Sequence, residues 1–366
     1  MFSVVVMTYV MLLLGVITYF NSPNKFHTSD KRFIIESGMT LREVVNKLSS
    51  EEIVRRPTAF LYMSQIIKGV DPKVRYGEYF FEKDLSYYKI LHKMTRGNVF
   101  FRKVTIAEGL STDSALKIIS HSPGLIGKLP KNIKEGTLLP ETYFYSYNDT
   151  KASMVKRMQD SMTKNLNELW ENRSDSIPVK TKEEAIKLAS IVERETGVSS
   201  ERPQVASVFI NRLNKRMKLQ SDPTIIYSFT KGNKDLERPI KVSDRKNKSP
   251  FNTYHIYGLP PVPICNPGID SIKAVLNPIK TNYLYFVADG YGDHVFTTNF
   301  KDHNRYVGKY REVMKHKKLQ EQNGEIVNST TKLLPKENNK SSNGQKLDIE
   351  HDEALIEIDE TDQRIN

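Results

Sequence analysis

Residues 188–213 read LASIVERETGVSSERPQVASVFINRL, and the spacing of their apolar side chains decides the fold of the central part of the chain. Leu, Ala, Ile and Val recur every three or four positions, which is typical of helices that bury one face. We predict one helix over Lys182–Thr196 and a second that starts near Pro203, because proline is favoured in the first turn of a helix. The stretch therefore predicts a pair of helices with a shared apolar interior.

Two acids in the first of these helices, Glu193 and Glu195, lie at the edge of its apolar stripe. An unpaired carboxylate at the border of a core costs free energy, so each acid is expected to be paired or used. At about 100° per residue they fall on opposite borders, so only one can face a given groove. Periodicity alone does not choose between them, and either could be an ordinary border glutamate paired with Arg194 or Arg202.

The N-terminal residues 1–20 carry no charged side chain. Such a segment rises about 30 Å as a helix, which matches the hydrocarbon layer of a membrane. A signal peptide is the alternative, but the apolar stretch is longer than usual and no basic residue precedes it. We therefore predict an uncleaved anchor. Its orientation stays open, because the first basic residues follow the span and would favour a cytoplasmic C-terminal side.

The C-terminal residues 319–366 are rich in Asn, Ser, Lys and Glu and end in an acidic cluster, a composition that predicts disorder. The whole chain has a net charge of +12, so the part before this acidic tail is more basic still. A basic body suggests an anionic partner, although part of the charge serves solubility. No nucleic-acid-binding module is recognisable, so we expect anionic lipid or cell-wall polymer instead of nucleic acid.

Cysteine and histidine give little indication of a bound group. Cys265 is the single cysteine, so no intramolecular disulfide can form. His294 and His303 are too loosely spaced to favour a zinc site. We predict neither a metal nor another cofactor.

The fold class predicted for the chain is α+β. A strand, two helices and a returning strand are expected early in the chain, and a β-hairpin is expected where residues 283–288 pair with residues 294–297. The first of these patterns resembles a small LysM-type module, and a spacer without a ligand is an equal alternative. The predicted segments are an anchor at 1–20, a linker at 21–31, a LysM-like domain at 32–99, a catalytic domain at 100–318 and a disordered tail at 319–366.

Two short loops, LQSDPT at 219–224 and SPFNTY at 249–254, concentrate neutral polar and aromatic side chains. Hydroxyls, amides and tyrosine rings suit the hydroxyls, amides and apolar faces of sugars. Each side chain could equally be structural, and Asp222 could simply form a turn before Pro223. The candidate groove residues are Gln220, Asp222, Asn252 and Tyr254.

A family resemblance rests on five long motifs in order: LASIVERETG, ERPQVASVFINRL, LQSDPTIIY, SPFNTYHIYGLPPVPICNPGIDSIKAVLNP and YLYFVADGYGDHVFTTNFKDHNRYV. They resemble the endolytic murein transglycosylases of the MltG/YceG-like family, over roughly residues 32–310. The resemblance implies a single membrane anchor, a LysM-like domain and an extracytoplasmic catalytic domain with a lysozyme-like active-site helix. It also implies a location at the bacterial inner (cytoplasmic) membrane and, at the family level, association with peptidoglycan synthases.

The activity implied by the resemblance is that of a lyase. Such enzymes cut peptidoglycan glycan strands between N-acetylmuramic acid and N-acetylglucosamine and leave a 1,6-anhydro end. One glutamate serves as general acid and then as base, so no second protein carboxylate is needed, whereas an ordinary glycosidase uses two. That glutamate needs a raised pKa, which desolvation provides.

The choice between the two acids follows from the same resemblance. In lysozyme-like transglycosylases the catalytic acid ends a helix and is followed by Ser or Thr, as Glu195 is followed by Thr196. Glu193 precedes Arg194, whose charge would lower its pKa. Glu195 is thus the predicted catalytic residue and Glu193 a supporting one. Two alternatives stay open: a peptidoglycan hydrolase with Asp222 as second carboxylate, and a non-catalytic glycan-binding scaffold.

Overall fold

The computed structural model describes residues 2–68, 73–233 and 236–330. These residues form helices and short two-stranded sheets, so the predicted mixed α+β fold class is confirmed. The chain divides into two compact units: the first comprises Met1–Val104, Ile119–Leu129 and Thr142–Met154, and the second comprises Thr105–Ile118, Pro130–Glu141 and Val155–Asn366.

The first unit contains the predicted strand-helix-helix-strand order. Its elements are β1 (Lys31–Ile35), α2 (Leu41–Ser50), α3 (Pro57–Lys68), β2 (Gly77–Phe81) and α4 (Tyr87–Arg96). Strands β1 and β2 pair antiparallel, with Phe33 opposite Tyr79. Two later segments of the chain, 119–129 and 142–154, return to this unit, which a boundary at residue 99 does not anticipate. The LysM-like nature of the unit and the domain limits stay predictions.

Helix α2 starts at a capping box formed by Thr40 and Glu43. The Thr40 hydroxyl accepts a hydrogen bond from the Glu43 amide, and the Glu43 carboxylate accepts one from the Thr40 amide. This capping box satisfies backbone donors that the first turn would otherwise leave unpaired. The apolar residues of the helix then all lie in the core of the unit: Leu41, Val44, Val45 and Leu48.

Helix α1 (Phe2–Asn21) is long and apolar enough to cross a membrane, by length and composition. Its end is packed against the first unit, since the Phe20 ring lies 5.7 Å from that of Phe60 and the side chain is 1% exposed. The predicted linker is also packed. Asn24 donates from its side chain to the Ile53 carbonyl at 2.7 Å, and the ring of the buried His27 lies 3.1 Å from the Phe81 carbonyl.

The helices and strands that follow α4 are β3 (Arg102–Thr105), α5 (Thr112–Ser120), β4 (Thr142–Tyr145), α6 (Lys151–Glu171), α7 (Lys182–Glu195), α8 (Arg202–Asn214), α9 (Asp222–Thr230), α10 (Val242–Arg245), α11 (Ile269–Leu276), β5 (Tyr285–Ala288), β6 (His294–Thr297) and α12 (Phe300–Thr330). Strand β3 pairs with β4. In the second unit, α7, α8 and α11 pack on one another and supply most of a single apolar core. The sequence pattern of residues 188–213 is therefore the pattern of two core helices.

The predicted hairpin is confirmed, with β5 and β6 antiparallel and Phe286 opposite Phe296. Helix α12 continues to Thr330, past the predicted start of the disordered tail at residue 319, and that start stays a prediction. The residues that follow position 318 read LQEQ, and leucine, glutamine and glutamate all favour helix formation. The rest of the predicted tail, 331–366, lies outside the described residues.

A tight backbone approach in the second unit gives a test of this packing. Gly136 has a φ of +76°, and a Cβ there would lie 2.7 Å from Pro263 Cγ and 2.8 Å from Ile186 Cγ2. Gly258 has nearly the same φ, +77°, with nothing within 4 Å of a Cβ. Both substitutions to alanine pay about 1 kcal/mol for the left-handed backbone. In urea unfolding, Gly136→Ala should lower the free energy of unfolding by at least about 1 kcal/mol more than Gly258→Ala does, because the added methyl group overpacks the core. Equal losses would contradict the packing described.

Candidate active site

Helix α7 carries both acids because its sequence sets its two ends and its buried face. At the start, the Thr181 hydroxyl accepts a hydrogen bond from the Glu184 amide at 3.1 Å. At the end, Thr196 turns to an extended conformation and stops the helix at Glu195. The apolar residues between them are buried in the core of the second unit: Ala185, Ile186, Leu188, Ala189, Ile191 and Val192.

Glu193 is committed to contacts inside the protein. One carboxylate oxygen lies 2.9 Å from Arg202 Nη2, and the other accepts a hydrogen bond from the Gly268 amide at 2.8 Å. The same guanidinium contacts Glu108 at 2.7 Å. Burial raises the pKa of Glu193, and the Gly268 amide and Arg202 act against that rise. The ion pair between Glu193 and Arg202, one of the alternatives that the sequence left open, is therefore present.

Gly268 lets the Glu108 side chain approach the backbone in this ion-pair cluster. A Cβ at this position would overlap the Glu108 carboxylate, so alanine there would displace the end of that side chain.

Glu195 lies at the end of the helix in a different environment, half-buried beside the loop that leads into α9. Burial raises its pKa to about 8, and the negative charge of Asp222 adds to the rise. The Ser221 hydroxyl and the positive charges of Arg212 and Arg194 act in the opposite direction. Because the desolvation effect is the largest, Glu195 keeps its proton at neutral pH.

The two polar loops that the sequence singled out meet at Thr253. The Thr253 carbonyl accepts a hydrogen bond from the Gln220 amide at 3.2 Å, and its hydroxyl accepts one from the Ser221 amide at 2.9 Å. The hydroxyls of Thr253 and Thr224 lie 2.9 Å apart and are buried. Residues 219–224 and 249–254 therefore form one rigid structure next to the end of α7.

Two predicted groove residues form a direct pair within this structure. The Tyr254 hydroxyl donates to Asp222 Oδ1 at 2.7 Å. Burial raises the pKa of Tyr254 well above its usual value, and the charge of Asp222 adds to that rise. Glu195 interacts electrostatically with both side chains. The structure thus brings Glu195, Asp222 and Tyr254 together.

Ser221 contributes a hydroxyl that the sequence did not single out. Its Oγ is buried and has no hydrogen-bond partner among the described residues. It also lies near enough to Glu195 to lower the pKa of that carboxyl. The Ser221 hydroxyl is therefore a donor placed beside the Glu195 carboxyl.

The other two predicted groove residues are placed differently. Asn252 is fully buried, and its amide nitrogen donates to the carbonyls of Arg245 at 2.9 Å and Asn247 at 2.8 Å. Its side-chain oxygen accepts a hydrogen bond from the Tyr254 amide. These contacts hold the loop together, and a contact of Asn252 with a ligand stays a prediction. Gln220 is partly exposed, with a φ of +50°.

Arg212 is the main residue of the site that sequence reasoning missed. It is buried, donates to the Leu284 carbonyl at 2.7 Å and the Leu219 carbonyl at 2.8 Å, and lies 3.4 Å from Gln220 Oε1. Its charge also acts on Glu195. A signal was present in the sequence, because Arg212 is an arginine on the apolar face of α8, three residues after Phe209.

The end of α7 is attached to the β5–β6 hairpin through Glu201. The Thr196 hydroxyl donates to Glu201 Oε2 at 3.2 Å, and the same oxygen lies 2.7 Å from His294 Nδ1. The His294 amide donates to Glu201 Oε1 at 2.6 Å. These bonds fix the backbone that follows Glu195.

Within residues 2–68, 73–233 and 236–330, no group of three His, Cys, Asp or Glu side chains could hold a metal ion.

Comparison with known proteins confirms the family resemblance seen in the sequence. The model of the YceG-like family matches residues 33–309. A Bacillus subtilis (strain 168) protein named endolytic murein transglycosylase is 31% identical over 307 residues, which cover 75% of this chain and 83% of the relative. A Streptococcus pneumoniae (serotype 2, strain D39) protein of the same name is 26% identical over 321 residues, covering 75% of this chain and 57% of the relative.

A solved structure of a YceG-like protein from Listeria monocytogenes is also similar. It shares 24% sequence identity and aligns with a TM-score of 0.46, covering 76% of this chain and 99% of that one.

The ion-pair cluster around Glu193 predicts a large effect on stability. Glu193→Ala should lower the free energy of unfolding by about 3 kcal/mol, because it leaves Arg202 buried with one carboxylate fewer. Glu183→Ala is the matched control, since Glu183 is an exposed acid at the start of the same helix, and it should cost less than about 1 kcal/mol. Urea unfolding measures both. Equal losses for the two variants would show that Glu193 is not a structural acid.

Proposed function

The chain belongs to the YceG-like family, and on that premise we propose that it is an endolytic lytic transglycosylase of peptidoglycan. It cuts glycan strands internally, between N-acetylmuramic acid and N-acetylglucosamine, during cell-wall assembly. The activity named for the relatives from Bacillus subtilis and Streptococcus pneumoniae supports this proposal. The observation that carries it in this chain is the pKa of about 8 at Glu195, beside two polar loops.

The proposed reaction uses Glu195 twice. In the first half, the protonated carboxyl donates its proton to the glycosidic oxygen, and the bond from that oxygen to C1 of N-acetylmuramic acid breaks. In the second half, the resulting carboxylate takes the proton from the C6 hydroxyl of the same sugar as its oxygen attacks C1. The product is a 1,6-anhydro ring, no water is consumed, and Glu195 ends in its starting protonation state. A group with a pKa near the working pH suits both roles.

The positive centre at C1 needs stabilisation while the bond breaks. The N-acetyl group of the substrate supplies it, so a second protein carboxylate is not required. The remaining side chains then position Glu195 and the sugar. Tyr254 orients Asp222 through their hydrogen bond, Arg212 holds the loop at Gln220, and Gln220 contacts the glycan. Glu193 supports the helix through its ion pair with Arg202.

A hydrolase is the second candidate function, because Asp222 lies close enough to Glu195 to raise its pKa. Ordinary glycosidases use a pair of carboxyl groups, one as acid and one as base or nucleophile. Against this function, Oδ1 of the Asp222 carboxylate already accepts a hydrogen bond from Tyr254 at 2.7 Å and is committed inside the protein.

We further propose that α1 is a single-pass anchor in the bacterial cytoplasmic membrane and that the rest of the chain is extracytoplasmic, where peptidoglycan lies. The length and apolar composition of α1 support an anchor. Residues 32–99 are proposed to bind glycan as a LysM-like domain, and 100–318 to form the catalytic domain. Association with peptidoglycan synthases is a proposal that follows from the family alone.

Digestion of purified peptidoglycan followed by mass spectrometry tests the activity. The wild-type chain should release products that end in 1,6-anhydro-N-acetylmuramic acid, one water lighter than reducing ends. Glu195→Gln should lower the rate by about 10²- to 10⁴-fold, because the general acid is lost. Glu183→Gln is the control and should cut normally. Reducing ends that disappear in Asp222→Asn would establish the hydrolase instead, and unchanged cleavage by a folded Glu195→Gln would remove the catalytic assignment.

A further inference from the structure

We propose that the groove between α1 and α3 is filled by lipid acyl chains, so that α3 lies in the membrane interface as a second contact with the bilayer beside the anchor. This inference rests on the proposed anchoring of α1 and adds a membrane-binding surface to the first unit. It is independent of which side of the membrane the unit occupies.

The groove has a volume of about 630 Å³, and apolar side chains form most of its walls. Helix α1 contributes residues from Thr8 to Phe20, and α3 contributes residues that include Ala59 and Met63. From Thr8 to Phe20 the helix rises about 18 Å. The hydrocarbon layer is about 30 Å thick, so a groove of that length beside the span lies at the depth of one leaflet.

Helix α3 is apolar on its outer face as well as on its inner face. Phe60 and Ser64 are buried in the first unit. Tyr62 is 63% exposed, Ile66 is 73% exposed and Ile67 is 38% exposed. Tyr62 lines the groove, and Ile66 lies one helical turn further along the same exposed side. Large apolar side chains in this position are unfavourable in water and favourable at a bilayer surface.

The position of α3 relative to the membrane follows from the rigid end of α1. The ring of Phe20 lies 5.7 Å from Phe60 and 6.0 Å from Tyr87, and the ring of Tyr19 lies 5.8 Å from that of Tyr87. The last turn of the span is thus part of the core of the first unit. Because the last turn of the span packs directly on Phe60 of α3, the outer face of α3 stays at the bilayer when α1 crosses it.

The charges next to the groove fit the same surface. Arg55 and Arg56 are exposed at the start of α3, and Lys25 is exposed just after the span. Phe26 is also 39% exposed beside Lys25. Arginine and lysine next to aromatic and aliphatic side chains are typical of the headgroup region, where the cations contact lipid phosphates. The occupant of the groove is therefore the bilayer in which α1 is anchored.

Site-specific probes on the full-length chain in lipid vesicles test this inference. Ile66→Cys, labelled with a fluorophore, is compared with Ser37→Cys, which lies in the exposed turn after β1. Met11→Cys, at a 67% exposed position of α1 that lines the groove, reports whether α1 itself lies in lipid. The wild-type chain is the labelling control, since its Cys265 is 1% exposed. Quenching is measured with lipids that carry a nitroxide on the acyl chain and with iodide in the water.

The probe at residue 66 should be quenched several-fold more strongly by the nitroxide lipids than the probe at residue 37, and several-fold less by iodide. A lipid-quenched probe at residue 11 with an iodide-quenched probe at residue 66 would overturn the inference and leave the anchor intact. An iodide-quenched probe at residue 11 would overturn the anchor and this inference with it. Neither result would affect the glycan-cleaving activity, which the digestion experiment tests separately.

Discussion

The proposed chemistry depends on keeping water away from one carboxyl group at the end of α7. Partial removal from water raises the pKa of Glu195 from the usual 4.5 to about 8, and the surrounding polar contacts hold that environment in place. This choice has a thermodynamic consequence. Because the folded chain binds the proton more tightly than the unfolded chain, the contribution of Glu195 to stability is complete below pH 4.5 and is lost as the pH rises towards 8. The desolvation of Glu195 thus lowers the stability of the folded chain at neutral pH, and in the proposed reaction it keeps the acid protonated.

Glu193 and Glu195 show how neighbouring residues of one type acquire different roles. Both side chains are desolvated. Glu193 has the Arg202 guanidinium and the Gly268 amide at hydrogen-bond distance. Glu195 instead lies near another carboxylate, that of Asp222, and near the buried hydroxyl of Ser221. Both oxygens of Glu193 are therefore committed to partners inside the protein. The helix period separates the two environments, because residues two apart lie on different faces.

Local patterns in the sequence predicted what local physics determines. The cap at Thr40, the two helices of residues 188–213 and the β5–β6 hairpin follow from side chains within a few residues of each other. The role of Arg212 depends on carbonyls about seven and seventy residues away, which no local pattern contains. Asn252 looked like a ligand contact because amides suit sugars, but the same amide also suits loop carbonyls, and only the three-dimensional structure shows which it meets. The spacing of residues in the sequence likewise did not predict that Asp222 lies near Glu195.

The central claim is that Glu195 is protonated at neutral pH, and a direct titration of its carboxyl group tests it. The chain is labelled with ¹³C at glutamate side-chain carboxyls, and the Glu195 signal is identified by its absence from Glu195→Gln. Its chemical shift is then followed by NMR across the pH range. The account predicts a midpoint near 8, well above the usual glutamate value of 4.5. A midpoint near 4.5 would mean that Glu195 is ionised at neutral pH and would contradict its role as the general acid.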